Sequence, residues 1–197
     1  MVPDGAPSDY LIAPRIVRTV KFLRALARGI VVISSDFLHE VLQSGQVPDP
    51  EEYHLKDKDN EKKWDFDLEK SMSRAKSHRS KLLWGIPIYC TDKIRNGYES
   101  YQHIAEANGA LFKVYRARSG TTIKKTTAEQ DGNAMPDPVY LLTGTTPEEK
   151  QMWTRFNQMA EEGHMEARIV SADWLLDVAM AQQVRFDKKF LIENYMQ

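Results

Sequence analysis

Ile30-Val-Val-Ile-Ser-Ser-Asp-Phe-Leu38 decides the fold. Its β-branched start, Ile30 to Ile33, is a continuous apolar run of the kind found in strands covered on both faces. A serine, Ser34 or Ser35, then caps a helix expected over Asp36–Gln43, which ends before Gly45. Upstream, Tyr10-Leu-Ile-Ala13 has the composition of a second short buried strand. Between the two strands stands Arg15-Ile-Val-Arg-Thr-Val-Lys-Phe-Leu-Arg-Ala-Leu-Ala-Arg-Gly29. Its apolar residues cover a wide arc, which predicts an amphipathic helix over Val17–Arg28 packed on more than one side. Strand, helix, strand, helix argues for a parallel sheet.

The order recurs downstream. Tyr10-Leu-Ile12 is echoed by Tyr140-Leu-Leu142, and Ile33-Ser-Ser-Asp-Phe-Leu38 by Val170-Ser-Ala-Asp-Trp-Leu175. Two tandem copies of one α/β module follow from that repetition. The second copy adds a strand at 86–90, a helix at 98–108 and a strand at 111–115 in front of strands at 139–143 and 167–170. Its further helices are expected at 147–162 and 173–182. Phe37 and Trp174 are expected in the core, and Phe186, Phe190, Leu191 and Tyr195 should dock the tail.

Between the copies, Lys56–Lys63 is dense in charges of both signs, the composition of a solvated loop. Trp64 and Phe66 would anchor the connection, with Leu68, Met72 and Ala75 turned inward from a helix over 68–76. Residues 116–138 read as a long polar, mobile loop. The expected organisation is a first copy over 9–55, a docked linker over 56–81 and a complete second copy over 82–197.

The chain has 197 residues, 42% of them hydrophobic and 28% charged, with a net charge of −1. Generic polyanion binding is excluded at that charge, and only a local basic patch could hold an anion. Arg18, Lys21, Arg24 and Arg28 supply such a patch at three- and four-residue spacing on the first helix. Arg18, Thr19 and Lys21 fall at its start, where free N–H groups and the helix dipole favour an anion. A solvated basic face, or contact with a DNA backbone, are the other readings of that stripe. The single cysteine, Cys90, excludes an internal disulfide and fits a reducing compartment. Its apolar strand makes it a small buried hydrophobe. No apolar run reaches the roughly 18 residues of a membrane span. The five histidines show no metal-ligand spacing, and no phosphate loop, nucleophile elbow or zinc-protease helix occurs, so neither cofactor nor catalysis is expected.

These residues resemble the BRCT repeat, a small α/β module of DNA-damage proteins. Phe37 and Trp174 stand where the family has a tryptophan in its third helix, and Asn108-Gly109-Ala110 matches its small-residue turn. Arg18-Thr-Val-Lys-Phe-Leu23 with Arg28-Gly-Ile30, then Glu61-Lys-Lys-Trp-Asp-Phe66 and Ser73-Arg-Ala75, are similar to the C-terminal BRCT pair of checkpoint-mediator scaffolds, fungal ones included. The resemblance implies two tandem modules, each a small parallel sheet flanked by helices. It also implies that the first copy starts at the repeat's third strand, which leaves that module N-terminally incomplete and the edge of Tyr10–Ala13 open. For function it implies a nuclear, non-enzymatic module that reads a C-terminal phosphoserine tail of a core histone, or a similar phosphoprotein. Lys21 would contact the phosphate, with Thr19 beside it, and Arg18 the peptide main chain and terminal carboxylate. Asn96 and Ser100, at the start of the second copy's first helix, would read the residue three after the phosphoserine. The alternative is phosphate-independent assembly with another protein; DNA backbone contact ranks below both.

Overall fold

The computed structural model describes residues 9–116, 122–123 and 137–195. Strand β1 (Tyr10–Ala13) leads through α1 (Val20–Ala27) to β2 (Val31–Ser34), which pairs parallel with β1 so that Tyr10 faces Val31. Helix α2 (Asp36–Ser44) closes this first unit and ends on Gly45 in the left-handed conformation. A single 3-10 turn at Pro50–Tyr53 and helices α3 (Lys58–Lys63) and α4 (Leu68–His78) form the connection. The second unit runs β3 (Pro87–Thr91), α5 (Tyr98–Ala107), β4 (Leu111–Tyr115), β5 (Pro138–Leu142), α6 (Pro147–Glu162), β6 (Glu166–Val170) and α7 (Asp173–Ala181). Its four strands are parallel in the order β4-β3-β5-β6.

Period-two alternation divides the core in two. From β3 and β5, Ile88, Cys90, Tyr140 and Leu142 point to one face and Tyr89, Val139 and Leu141 to the other. The first face joins the core made by the β1–β2 sheet, α1, α4, α5 and α7. The second is covered by Met152, Phe156 and Met159 of α6. Tyr140 stacks on Trp174 at a centroid distance of 3.8 Å, so the aromatic of the second copy's repeated motif sits under the middle of the larger sheet.

Helix α1 lies at the junction, packed on α5 and α7 of the second unit and on α4. Phe22, Leu23, Ala25, Leu26 and Ala27 are all buried, the wide arc expected from the sequence. Fully burying each of the larger ones contributes roughly 1.5–3 kcal/mol. Its C-terminus is a Schellman turn: Ile30 N–H donates to Ala25 O (3.1 Å) and Gly29 N–H to Leu26 O (2.9 Å). Gly29, at φ 73°, is the residue this turn requires.

Arginines tie α7 to the connection. Arg185 donates to both carboxylate oxygens of buried Asp177 (2.6 and 2.8 Å) and to Asp65 O (3.0 Å), and Arg74 donates to Ala181 O (3.0 Å).

Four expectations differ from the structure. Lys58–Lys63 is helical instead of a loop, because Asp57 caps it by accepting Asn60 N–H (3.2 Å) and Glu61 accepts Leu68 N–H (2.8 Å) at its exit. Phe37 is only half-buried, edge-on to Tyr53 at 5.7 Å, since nothing among the described residues closes over α2. The tail docks through Phe190 and Ile192, while Phe186 and Tyr195 stay exposed. Helix α1 begins at Val20, three residues later than expected. Most of the polar stretch 116–138 lies outside the described residues; within it, Ile123 is buried in the second core.

Candidate functional site

The late start of α1 has a local cause that also shapes the candidate site. Ile16 N–H donates to the Asp57 carboxylate (2.8 Å), which ties the non-helical run before α1 to the connection. Burial acts to raise the Asp57 carboxyl, but hydrogen bonds from Asn60 and Ile16, with Arg15 nearby, outweigh it and hold the group below its ordinary value. Thr19 then sits at the N-cap with extended backbone (φ −82°, ψ 153°), and its hydroxyl accepts Phe22 N–H at 3.4 Å.

Thr19 therefore caps the helix, with its side chain on the exposed surface. Lys21 is the second helical residue and is exposed; among the described residues it makes no ion pair. The first turn of α1 contains no acidic residue. A cation thus stands beside the positive end of a helix dipole with no carboxylate to offset it, a setting that favours an incoming anion.

Arg18, just before the cap, turns toward the second unit. Its Nη1 meets Asp173 Oδ1 at 3.2 Å and its Nη2 reaches Asp173 O at 3.5 Å. Its guanidinium lies 5.8 Å from the centroid of the Trp64 ring, over which Lys63 also sits at 5.0 Å. The Asp173 carboxylate is half-exposed, so this ion pair adds under about 1 kcal/mol to stability. Geometry is its main product: the pair holds a guanidinium at the N-terminus of α7. There Ala172 provides no side-chain cap, and buried Arg18 Nε and Ser171 Oγ have no partner among the described residues.

Arg18, Thr19 and Lys21 are thus brought together at one junction of the two units. Asn96 and Ser100 are not joined to them by any contact among the described residues. Asn96 is exposed at φ 72°, Gly97 precedes α5, and Ser100 lies half-buried in the first turn of α5, a helix that packs on α1. Asp57, Trp64 and Asp173 are the contributors that sequence reasoning missed in this role. Asp57 had the one usable signal, an acidic residue placed to cap a following turn. Arg18 and Asp173 are 155 residues apart, and no local pattern links them.

Among the described residues, no group of three His, Cys, Asp or Glu side chains could hold a metal ion, and no helix is long and apolar enough to cross a membrane.

The chain is similar to several known proteins. The BRCT-domain model of Regulator of Ty1 transposition protein 107 matches residues 1–55. Mediator of DNA damage checkpoint protein 1 of Homo sapiens is 34% identical over 157 residues, 74% of this chain. BRCT-containing protein 1 of Schizosaccharomyces pombe is 28% identical over 180 residues, 89% of this chain. The chain spans only 7% of the human relative and 20% of the yeast one. The crystal structure of the BRCT5-BRCT6 domains of S. pombe Brc1 is similar at a TM-score of 0.64 and 26% identity, covering 89% of this chain and 78% of that one. A complex of Rtt107p with a phosphorylated histone is similar in fold at a TM-score of 0.66 and 18% identity, covering 93% and 75%.

Proposed function

The chain is a tandem BRCT protein, and from that premise we propose that it is a phosphopeptide-binding module that reads a phosphorylated C-terminal tail, of a core histone or a similar phosphoprotein, in the DNA damage response. One observation carries this reading. Two cations three residues apart flank the cap of α1, one exposed and unpaired, the other held at the N-terminus of α7 by Asp173. Lys21 supplies a charge-assisted contact to a phosphate that carries close to two negative charges. Thr19, at the cap, offers its hydroxyl beside it. Arg18 presents a planar fork to the peptide's terminal carboxylate, for which Asp173 stands in when no peptide is present. Asn96 and Ser100, at the start of α5, are assigned to reading the residue three after the phosphoserine. The module comprises a first repeat over 9–55, a docked linker over 56–81 and a second repeat over 82–197. It works in the nucleus by binding alone, with no turnover. The ligand in the structurally similar Rtt107p complex, a phosphorylated histone, supports the choice of peptide.

Titration of four histone-tail peptides tests this: phosphorylated or plain, each with a free or amidated C-terminus. The phosphorylated peptide with a free carboxylate should bind best. Lys21→Glu should weaken it at least about a hundredfold while leaving Tm unchanged, since Lys21 is exposed. Arg18→Ala should remove the preference for the free carboxylate. Equal affinity for phosphorylated and plain peptides would overturn the reading in favour of phosphate-independent assembly.

A further inference from the structure

The second repeat has a helix N-terminus in the position that α1 occupies in the first. In both copies a strand (β1 or β5) leads to a helix (α1 or α6) capped by a threonine, Thr19 or Thr146, whose hydroxyl accepts the N–H three residues on. After the cap, the charges reverse. Where α1 has Lys21 and Phe22 at its second and third positions, α6 has Glu148 and Glu149.

Glu149 is 1% exposed, yet its carboxylate is fully bonded. Oε1 accepts Thr91 Oγ1–H (2.7 Å) and Gly144 N–H (2.8 Å); Oε2 accepts Thr146 N–H (3.2 Å) and Thr146 Oγ1–H (2.8 Å). The bond from Thr146 N–H and that from Glu149 N–H to Thr146 Oγ1 belong to an ordinary capping box, usually a surface feature. The bonds from Thr91 and Gly144 do not. Thr91 is the buried last residue of β3, 58 positions away, and Gly144 lies in the loop after β5. A Cβ on Gly144 would sit 2.6 Å from Oε2, so the carboxylate occupies the space a side chain would need. Burial acts to raise the Glu149 carboxyl, but the bonds from Thr91, Gly144 and Thr146 outweigh it and hold the group below its ordinary value. A hydroxyl from a neighbouring strand, a loop N–H and a helix N-terminus converging on one point are the chemistry of an oxyanion cradle.

We propose that the second repeat contains an oxyanion cradle that its own Glu149 keeps filled. That anion position, at the start of α6, is therefore closed from within. The filled cradle joins β3, the β5–α6 loop and α6 in place of a ligand, and excludes an external anion from that point. The inference concerns α6 alone and does not depend on how Lys21 is read.

Thermal unfolding of Glu149→Ala in sodium acetate, phosphate or chloride at equal ionic strength tests it. The variant should lose roughly 5 °C in chloride and regain at least half of that in acetate or phosphate, while the unaltered chain should show no such preference. The same response in both proteins would overturn the proposal. Should Glu149→Ala fail to fold, Thr91→Val provides the second measurement, a carbon-13 titration of the Glu149 carboxyl. A filled cradle predicts that its pKa rises when the Thr91 hydroxyl is lost; an unmoved pKa would reduce Glu149 to a helix cap and overturn the proposal. Neither measurement uses a peptide, so failure here is distinguishable from failure of the phosphopeptide reading.

Discussion

Helices α2 and α7 start almost alike, with Ser35-Asp36-Phe37-Leu38 in one and Ala172-Asp173-Trp174-Leu175 in the other. Their surroundings could hardly differ more. Among the described residues of α2 none is fully buried, and Leu42 is 82% exposed; α7 buries seven, Trp174 completely. The cause lies outside either helix. Helices α1, α4 and α5 all pack on α7 beneath a four-stranded sheet, whereas α2 meets little beyond the turn at Pro50–Tyr53 and stands over two strands. A local motif thus specifies that a helix forms and how it begins. What it contributes to stability is set by what the rest of the chain brings against it.

That contrast can be broken experimentally, and the largest effect should come from the aromatic pair. Trp174→Ala should destabilise the chain by about 3–5 kcal/mol, and Phe37→Ala by only about 1–2 kcal/mol, in urea unfolding. Similar losses at the two sites would mean that α2 is buried as deeply as α7. Asp57→Ala should follow, at about 1 kcal/mol, since it loses a helix cap and the Ile16 N–H bond. It should also weaken phosphopeptide binding more than its stability cost suggests, because the run that delivers Arg18 is released. The Asp57 carboxyl titrates lower in the folded chain than in the unfolded one. Its contribution is therefore complete above the unfolded value, about 3.9, and fades as pH falls through the folded one, so the variant and parent curves should converge in acid. Smallest of all, Leu42→Ser should stay within about 0.5 kcal/mol of the parent.

Much of this architecture was legible in the sequence, and the gaps have physical reasons. Strands β2 and β5 announce themselves by continuous β-branched and aliphatic runs, and α1 by its wide apolar arc and its closing glycine. Helix α3 does not, because it buries none of its own residues and is held by capping at Asp57 and by the Glu61 bond to Leu68. Its sequence carries charge without apolar period, the primary signal such reading uses. The cation stripe on α1 was visible, but that Arg18 is paired and Lys21 is not was hidden. That depends on Asp173, brought to Arg18 by the docking of two units and by nothing in the sequence near either residue.

The burial of Cys90 gives the molecule a built-in clock. It is the chain's single cysteine, fully enclosed in β3 at the heart of the larger sheet, and burial pushes its thiol well above the usual range. A thiol reagent can reach it only when that sheet opens. The labelling rate at Cys90 therefore times the opening of the core that the two repeats share.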